Sequence, residues 1–330
     1  MSLVPMKQIL DEARKKGYGV GAYNVNNMEQ IQAIMLAAQK TKSPVIIQAS
    51  RGALKYSNFT YLKHLMLAAA EENPDIPIAM HLDHGNSLET AKKAIELGFT
   101  SVMIDGSLKE DGKTPSDYAY NVAVTKSVVD YAHSSGVTVE AEIGRLGGIE
   151  DGVGSGSEHL TDPDEAKKFV EETGVDALAI AIGTSHGAYK FKGDKNLAFD
   201  VLEKVRKLID IPIVLHGASS VPKELLDRVN KYGGKMPGAT GVPMAELQKA
   251  IKLGVSKINV DTDGRLAITA AIRQVFFESP EKFDPRDYLG PARDMLAGII
   301  ENKMKDFGTA GHAGDYKAIT IEQMKNVYKK

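Results

Sequence analysis

Three histidines that are each followed directly by glycine are the residues of this chain best suited to chemistry. They are His84, His186 and His216, and each lies at or just beyond the end of a run of apolar residues. Three imidazoles with an open fourth position are a typical arrangement for catalytic zinc. The chain contains no cysteine, so a metal would be bound here by histidine, aspartate or glutamate. The shared pattern favours a zinc site over three unrelated buried histidines.

Carboxylates accompany these histidines at the ends of similar runs. Asp83 directly precedes His84 and is a candidate general acid or base, with orientation of a neighbouring histidine as its alternative role. Asp105 and Glu142 end two further runs, where they could hold a second cation or orient the first. Their alternative is simple pairing with lysines.

Eight short apolar runs predict the strands that must position these residues. They span 20–25, 44–50, 77–83, 101–107, 138–144, 177–183, 212–219 and 257–263. The segments between them have helical spacing, with Ser87 and Asp162 as predicted N-caps and Gly98 and Gly174 at predicted helix ends. Near-continuous apolar strands that alternate with helices indicate a parallel sheet. The sequence therefore predicts an α/β fold, a (β/α)8 TIM barrel with an N-terminal helix and extra C-terminal helices. A doubly wound sheet is the rival, but no GxGxxG follows the first strand.

Two glycine-rich connections, 144–163 and 230–243, are too long for plain loops and predict functional lids or disorder. Glu150 lies within the first of them, as either a mobile catalytic group or a solvated charge. We expect one domain over 1–330, with the tail 307–330 peripheral to it.

Composition narrows the possible functions. The chain has 330 residues, of which 43% are hydrophobic, and its net charge is −2. That balance offers no electrostatic reason for binding nucleic acid or membranes. No signal-peptide pattern or membrane-spanning run is present, so the expected location is the cytoplasm.

A phosphate site is predicted after the last two strands. The segments "HGASS" (216–220) and "NVDTDGR" (259–265) place backbone amides, hydroxyls and an arginine there. Barrels commonly bind phosphate with the loops after strands seven and eight. The alternative is that Ser219, Ser220 and Thr262 only cap the following helices.

Taken together, the motifs resemble those of the class II, metal-dependent fructose-bisphosphate aldolases. The resemblance runs from about 21 to 288. It depends on "HLDHG", "VEAEIGRLGGIEDGV", "GTSHGAYK", "LHGASS", "NVDTDGR" and "FDPRDYLG". One departure is "ASS" at 218–220, where the family often has glycine and serine; Ser219 keeps the serine.

The resemblance implies a role for each matching residue. His84, His186 and His216 would bind catalytic zinc, with Asp105 and Glu142 at a second or alternative metal position. Asp83 would act on the C4 hydroxyl, and Glu150 would handle the proton of the dihydroxyacetone phosphate carbon. The substrate-binding residues would be Asn24, Ser50, Gly187, Lys190, Gly217, Ala218, Ser219, Asn259, Asp261, Thr262, Arg265 and Arg286. A monovalent cation, Na⁺ or K⁺, would lie near the phosphate. Arg286 would reach the active site of a neighbouring subunit, which implies a homodimer or homotetramer.

The implied reaction is the reversible cleavage of fructose 1,6-bisphosphate to dihydroxyacetone phosphate and glyceraldehyde 3-phosphate, a step of glycolysis and gluconeogenesis. A Schiff-base mechanism would require a lysine at a strand end. The sixth run has none, and Lys190 lies beyond His186. One alternative is a tagatose-bisphosphate aldolase, which tends to have "NVATELK" where this chain has Asp261 and Arg265. A more distant alternative is a barrel metal-dependent hydrolase, but the first strand lacks the H-x-H pair typical of that class.

Overall fold

The computed structural model describes residues 2–148, 159–189 and 197–329. The described residues form eight strands, which pair side by side in chain order, all parallel, and close into a barrel. The strands are β1 (Val20–Asn24), β2 (Val45–Ser50), β3 (Ile78–Gly85), β4 (Ser101–Ile104), β5 (Thr138–Ile143), β6 (Ala177–Ile180), β7 (Ile213–Leu215) and β8 (Val255–Val260). The predicted (β/α)8 barrel is confirmed.

Helices precede, separate and follow the strands. They are α1 (Met6–Lys16), α2 (Met28–Thr41), α3 (Arg51–Ser57), α4 (Phe59–Glu72), α5 (Leu88–Glu96), α6 (Tyr118–Ser134), α7 (Pro163–Thr173), α8 (Phe199–Leu208), α9 (Lys223–Lys231), α10 (Met244–Lys252), α11 (Thr262–Glu278), α12 (Pro285–Asp306) and α13 (Ile321–Tyr328). Ser87 and Asp162 cap α5 and α7 as predicted. The expected N-terminal and C-terminal helices are also present. No helix in the described part of the chain is long and apolar enough to cross a membrane.

Several strand boundaries differ from the prediction. β4, β6 and β7 are shorter than predicted, since they end at Ile104, Ile180 and Leu215. The predicted strands also included the residues that follow, up to 107, 183 and 219. β8 begins at Val255, two residues earlier than predicted. It ends at Val260, because α11 begins at Thr262. Lys257, predicted to begin a strand, therefore lies in the middle of β8 and inside the barrel, where its side chain is fully buried.

The base of the barrel is closed by α1. Met6, Ile9 and Leu10 are fully buried against an apolar cluster contributed by the strands. The strand members of that cluster are Val20, Ala22, Ile46, Ala79, Ala177, Ala179 and Val214. The backbone N–H of Lys7 also donates to Thr138 at the start of β5 (3.1 Å). α1 therefore covers the amino ends of the strands and leaves their carboxyl ends as the free mouth.

The tail beyond α12 packs around this base. The His312 ring stacks on Tyr18 at 4.1 Å, and the Gln8 side chain donates to the Lys317 carbonyl at 2.6 Å. α13 packs on α6, where Tyr328 stacks on His133 with ring centroids 3.7 Å apart. No function was predicted for this tail. Its contacts indicate that it stabilises the base of the barrel.

Candidate active site

The carboxyl ends of the strands bring the predicted chemical residues together. Asp83 and His84 lie near the carboxyl end of β3, Glu142 is the penultimate residue of β5, and His216 directly follows β7. His186 lies in the longer connection after β6. The backbone N–H of His186 donates to the Gly147 carbonyl (2.9 Å), so this connection lies beside the loop after β5. In a closed parallel barrel all carboxyl ends face the same side, so residues distant in sequence converge.

The three histidines form a tight cluster. Ring nitrogens of His84, His186 and His216 all lie within 4.8 Å of one another. The His84 ring meets the other two edge to face, with centroids 5.0 Å from that of His186 and 4.8 Å from that of His216. His84 has a positive φ of 50°, a conformation that few residues other than glycine adopt. This backbone geometry turns its ring into the mouth.

The arrangement fits a bound metal ion. Nδ1 of His84 and Nδ1 of His216 are buried and make no well-aligned hydrogen bond to any of the described residues. A buried polar atom without a partner is costly, unless a ligand satisfies it. Three neutral imidazoles are a donor set that suits zinc, so the residues present match the predicted metal.

Two carboxylates surround the cluster on the side of β4 and β5. Asp105 lies 3.5 Å from His84 Nδ1, and Glu142 lies 3.1 Å from His216 Nδ1. Potential ligand atoms of His84, Asp105 and Glu142 also fall within 4.8 Å of one another. Among the described residues, these carboxylates therefore contact histidines rather than lysines.

Electrostatics within this buried cluster are strongly coupled. Burial opposes ionisation of His84, but the Asp83 and Asp105 carboxylates outweigh it and raise the pKa of His84 to about 10. Burial together with Asp105 raises the pKa of Glu142. The carboxylates thus favour positive charge at the imidazoles. A divalent metal would supply the same positive charge.

Asp83 is held by three side-chain amides. Asn24 and Gln48 donate to Oδ2 at 2.9 and 3.2 Å, and Asn259 donates to Oδ1 at 3.1 Å. Burial opposes ionisation, but the positive charge of His84 and its neighbours lowers the pKa of Asp83 to about 2. The carboxylate is therefore ionised and fixed in place, and it lies beside His84, with Nε2 4.0 Å away.

The predicted phosphate loops adjoin this cluster. Ser219 Oγ accepts from the backbone N–H of Asp261 (3.2 Å), which ties the loop after β7 to the end of β8. Thr262 lies 3.4 Å from the Gly187 carbonyl. Gly217 has φ of +61°, and a Cβ there would lie 2.6 Å from the Ser185 carbonyl oxygen. Neither α9 nor α11 has a side-chain N-cap, so the capping alternative for Ser219, Ser220 and Thr262 is wrong.

The remaining predicted residues fall into four groups. Ser50 ends β2 and caps α3, while Ala218 is buried in the loop after β7. Arg265 forms a two-point ion pair with Asp261, at 2.9 and 2.5 Å. Within the described part of the chain, Arg286 pairs with Asp284, and its side chain is 89% exposed and lies outside this cluster. Glu150 and Lys190 lie outside the described residues.

Three functional candidates were missed in the sequence. Gln48, Glu140 and Lys257 are fully buried inside the barrel and connect to Asp83 and His216. Each interrupts a run of apolar residues in its strand, which is the signal that could have identified them. A charged residue is almost never fully buried unless it is paired, so an ionisable side chain in a barrel strand points to a network.

The fold and this geometry define a (β/α)8 barrel with a candidate three-histidine metal centre at its mouth. The chain matches the family "Fructose-bisphosphate aldolase class-II" over residues 4–312 and belongs to it. A fructose-bisphosphate aldolase from Giardia intestinalis is 60% identical over 331 residues, which cover 100% of both chains. One from Pseudomonas aeruginosa is 51% identical over 344 residues, covering 99% of this chain and 97% of the relative.

A solved structure shows a similar barrel. The YdjI aldolase from Escherichia coli K12 superposes with a TM-score of 0.77 at 31% identity, covering 94% of this chain and 99% of that one. The family predicted from the sequence motifs is confirmed.

Proposed function

We propose that this protein catalyses the reversible cleavage of fructose 1,6-bisphosphate to dihydroxyacetone phosphate and glyceraldehyde 3-phosphate. The observation that carries the proposal is the convergence of His84, His186 and His216 within 4.8 Å, beside the ionised and anchored Asp83. His84, His186 and His216 would hold zinc. When bound, zinc supplies Lewis-acid stabilisation of negative charge on a substrate oxygen.

Side chains of the protein would carry out the proton transfers. Breaking the C3–C4 bond requires loss of the C4 hydroxyl proton, and Asp83 is the carboxylate placed to accept it. Its three amide donors hold it in one orientation, and the positive charge of His84 and its neighbours keeps it ionised at neutral pH. In the synthetic direction Glu150 would remove a proton from dihydroxyacetone phosphate, carried there by the loop 144–163. We expect Glu150→Ala to abolish deuterium exchange at that carbon, measured by NMR at parental zinc content; exchange at the parental rate would exclude it.

Substrate contacts follow the loops already described. Ser50, Gly187, Gly217, Ala218, Ser219, Asn259 and Thr262 would bind the dihydroxyacetone phosphate half, with Asn24 and Lys190 close by, and a Na⁺ or K⁺ ion near the phosphate. The Asp261–Arg265 ion pair at the end of β8 supports fructose over tagatose bisphosphate as the preferred substrate. Asp105 and Glu142 would form a second or alternative divalent position with His84.

The chain is proposed to act as one cytoplasmic domain, 1–330, within a homodimer or homotetramer. Arg286 is exposed and unconnected to its own mouth, which supports a role at the site of a neighbouring subunit. Mixing Arg286→Ala subunits with His216→Ala subunits tests this directly. Hybrid oligomers should regain part of the activity that both parents lack, and no recovery would contradict the shared site.

The decisive experiment is a cleavage assay with both ketose bisphosphates before and after chelation. We expect cleavage of the fructose substrate to disappear after verified zinc removal and to return with zinc or cobalt. Full activity without metal would contradict the proposed chemistry. Faster turnover of the tagatose substrate would contradict the proposed specificity while leaving the metal site intact.

A further inference from the structure

A lysine lies fully buried beneath the candidate active site. Lys257 points into the barrel from β8, and its Nζ lies 2.9 Å from Glu140 Oε2 and 3.2 Å from Oε1. It also donates to Asn259 Oδ1 at 2.7 Å. A buried ion pair is weak evidence for stability, because apolar residues of similar volume often stabilise a core equally well. Its retention inside an otherwise packed barrel calls for another explanation.

One arm of this network leads to His216. Glu140 Oε1 lies 2.7 Å from His216 Nε2, and both side chains are fully buried. A carboxylate accepts hydrogen bonds, so this contact places a proton on Nε2 and leaves Nδ1 as the lone-pair nitrogen. Nδ1 is the atom that lies beside Glu142 in the mouth. The Lys257 ammonium contacts both oxygens of Glu140 and so fixes the carboxylate that receives the His216 hydrogen bond.

The other arm leads to Asp83. An ammonium group only donates hydrogen bonds, so Lys257 requires the oxygen of the Asn259 amide to face it. The amide nitrogen must then face the opposite way, where it donates to Asp83 Oδ1 at 3.1 Å. Without Lys257 the Asn259 amide oxygen loses this donor, and the amide is less firmly held against Asp83.

We propose that the Lys257–Glu140 pair is a positioning unit that orients a metal ligand, His216, and a catalytic carboxylate, Asp83, from beneath the site. The proposal rests on the zinc-aldolase function proposed above. This role differs from packing or a general contribution to stability, because it fixes the orientation of His216 and Asp83. Lys257 acts through Glu140 on one side and through Asn259 on the other, and it touches no substrate.

The test compares zinc affinity by competition with a chelator of known affinity, in full-length Glu140→Gln, Lys257→Met, the double variant and a control. A glutamine at 140 that turns its oxygen to His216 places its NH₂ group at the position of Oε2, 2.9 Å from Lys257 Nζ, where two donors face each other. The double variant removes that conflict and both charges. The control is Lys303→Met, because Lys303 forms another buried pair, 2.5 Å from Asp263, with no contact to a proposed metal ligand.

We expect each single variant to bind zinc about 10–100-fold more weakly than the parent, the range typical for residues that orient metal ligands. The double variant should bind zinc more tightly than Glu140→Gln, because its glutamine oxygen can accept from His216. Its turnover at saturating zinc should stay below that of the parent, because Lys257 no longer holds the Asn259 amide oxygen. Lys303→Met should lose thermal stability but keep parental zinc affinity.

Two results would overturn the proposal. If both single variants bind zinc as the control does, the pair does not orient His216. If the double variant has parental turnover at saturating zinc, the pair does not orient Asp83. Should Lys257→Met fail to fold, the double variant and Glu140→Gln still decide both points. A parent protein that binds no zinc would instead refute the proposed function, so the two failures are distinguishable.

Discussion

The two ends of the barrel interior are built from opposite kinds of residue. At the base, apolar side chains of the strands pack against α1, and at the mouth the same strands present ionisable groups. β3 shows the change within one strand, since Ala79, His81 and Asp83 alternate with apolar residues and share its inward face. Ala79 belongs to the apolar base, whereas Asp83 receives three amide hydrogen bonds. Stability and chemistry are therefore separated along the barrel axis.

This comparison predicts that changes at the mouth alter turnover more than stability. Asp83→Ala should reduce turnover by about 10²–10⁴-fold, the usual contribution of a general acid–base group. Zinc content should stay close to parental, because His84, His186 and His216 remain. Parallel measurement of bound zinc and kcat checks the prediction. A loss of zinc that matches the loss of turnover would make Asp83 a ligand or an orienting residue.

Changes at the base should do the reverse. Leu10 is fully buried between α1 and the lower strands, and Leu10→Ala should lower the free energy of unfolding by about 2–5 kcal/mol. At a temperature where the variant is folded, kcat at saturating zinc should be parental. Denaturant unfolding and steady-state kinetics on one preparation test both halves. A marked fall in kcat of the folded variant would show that the two ends are coupled.

The tail should contribute a smaller share of stability. Tyr328 donates to Asp176 Oδ2 at 2.9 Å and stacks on His133, so Tyr328→Phe removes one hydrogen bond and keeps the stacking. The expected loss is about 1 kcal/mol, with turnover unaffected. Tyr61→Phe is the matched control, since that side chain is exposed. Equal stabilities of the two variants would mean that the Tyr328 contact contributes nothing.

The smallest predicted effect is a pH dependence of the same region. Burial opposes ionisation of Asp315, but hydrogen bonds from Lys16 and His312 lower its pKa. A carboxyl group with a depressed folded-state pKa stabilises the fold above its unfolded pKa of about 3.9 and loses that contribution as the pH falls further. The stability difference between parent and Asp315→Asn should thus be present at pH 6 and shrink below about pH 4. Comparing their unfolding midpoints across this range tests the sign; a constant difference would exclude the ionised carboxylate as its source.

Much of the site could be predicted from sequence because the relevant signals are local. An apolar run that ends in Asp83 and His84, or in His216 and glycine, identifies both a strand and the polar group at its end. Eight such runs separated by amphipathic helices predict a closed parallel barrel, and parallel closure places all the carboxyl ends together. The prediction that His84, His186 and His216 lie together followed from this topology, and the structure brings them within 4.8 Å.

Only the tertiary structure decided which side chains form hydrogen bonds and ion pairs inside the barrel. Barrel strands are covered on both faces, so both sets of alternating positions are mostly apolar and the pattern does not reveal which side chains point inward. For that reason Lys257 could be taken for the start of a strand, although it lies at the centre of β8 and bridges Glu140 to Asn259. The hydrogen bond between Glu140 and His216 joins residues 76 positions apart. Such contacts depend on strand register and barrel closure, which place side chains from non-adjacent strands opposite each other across the interior.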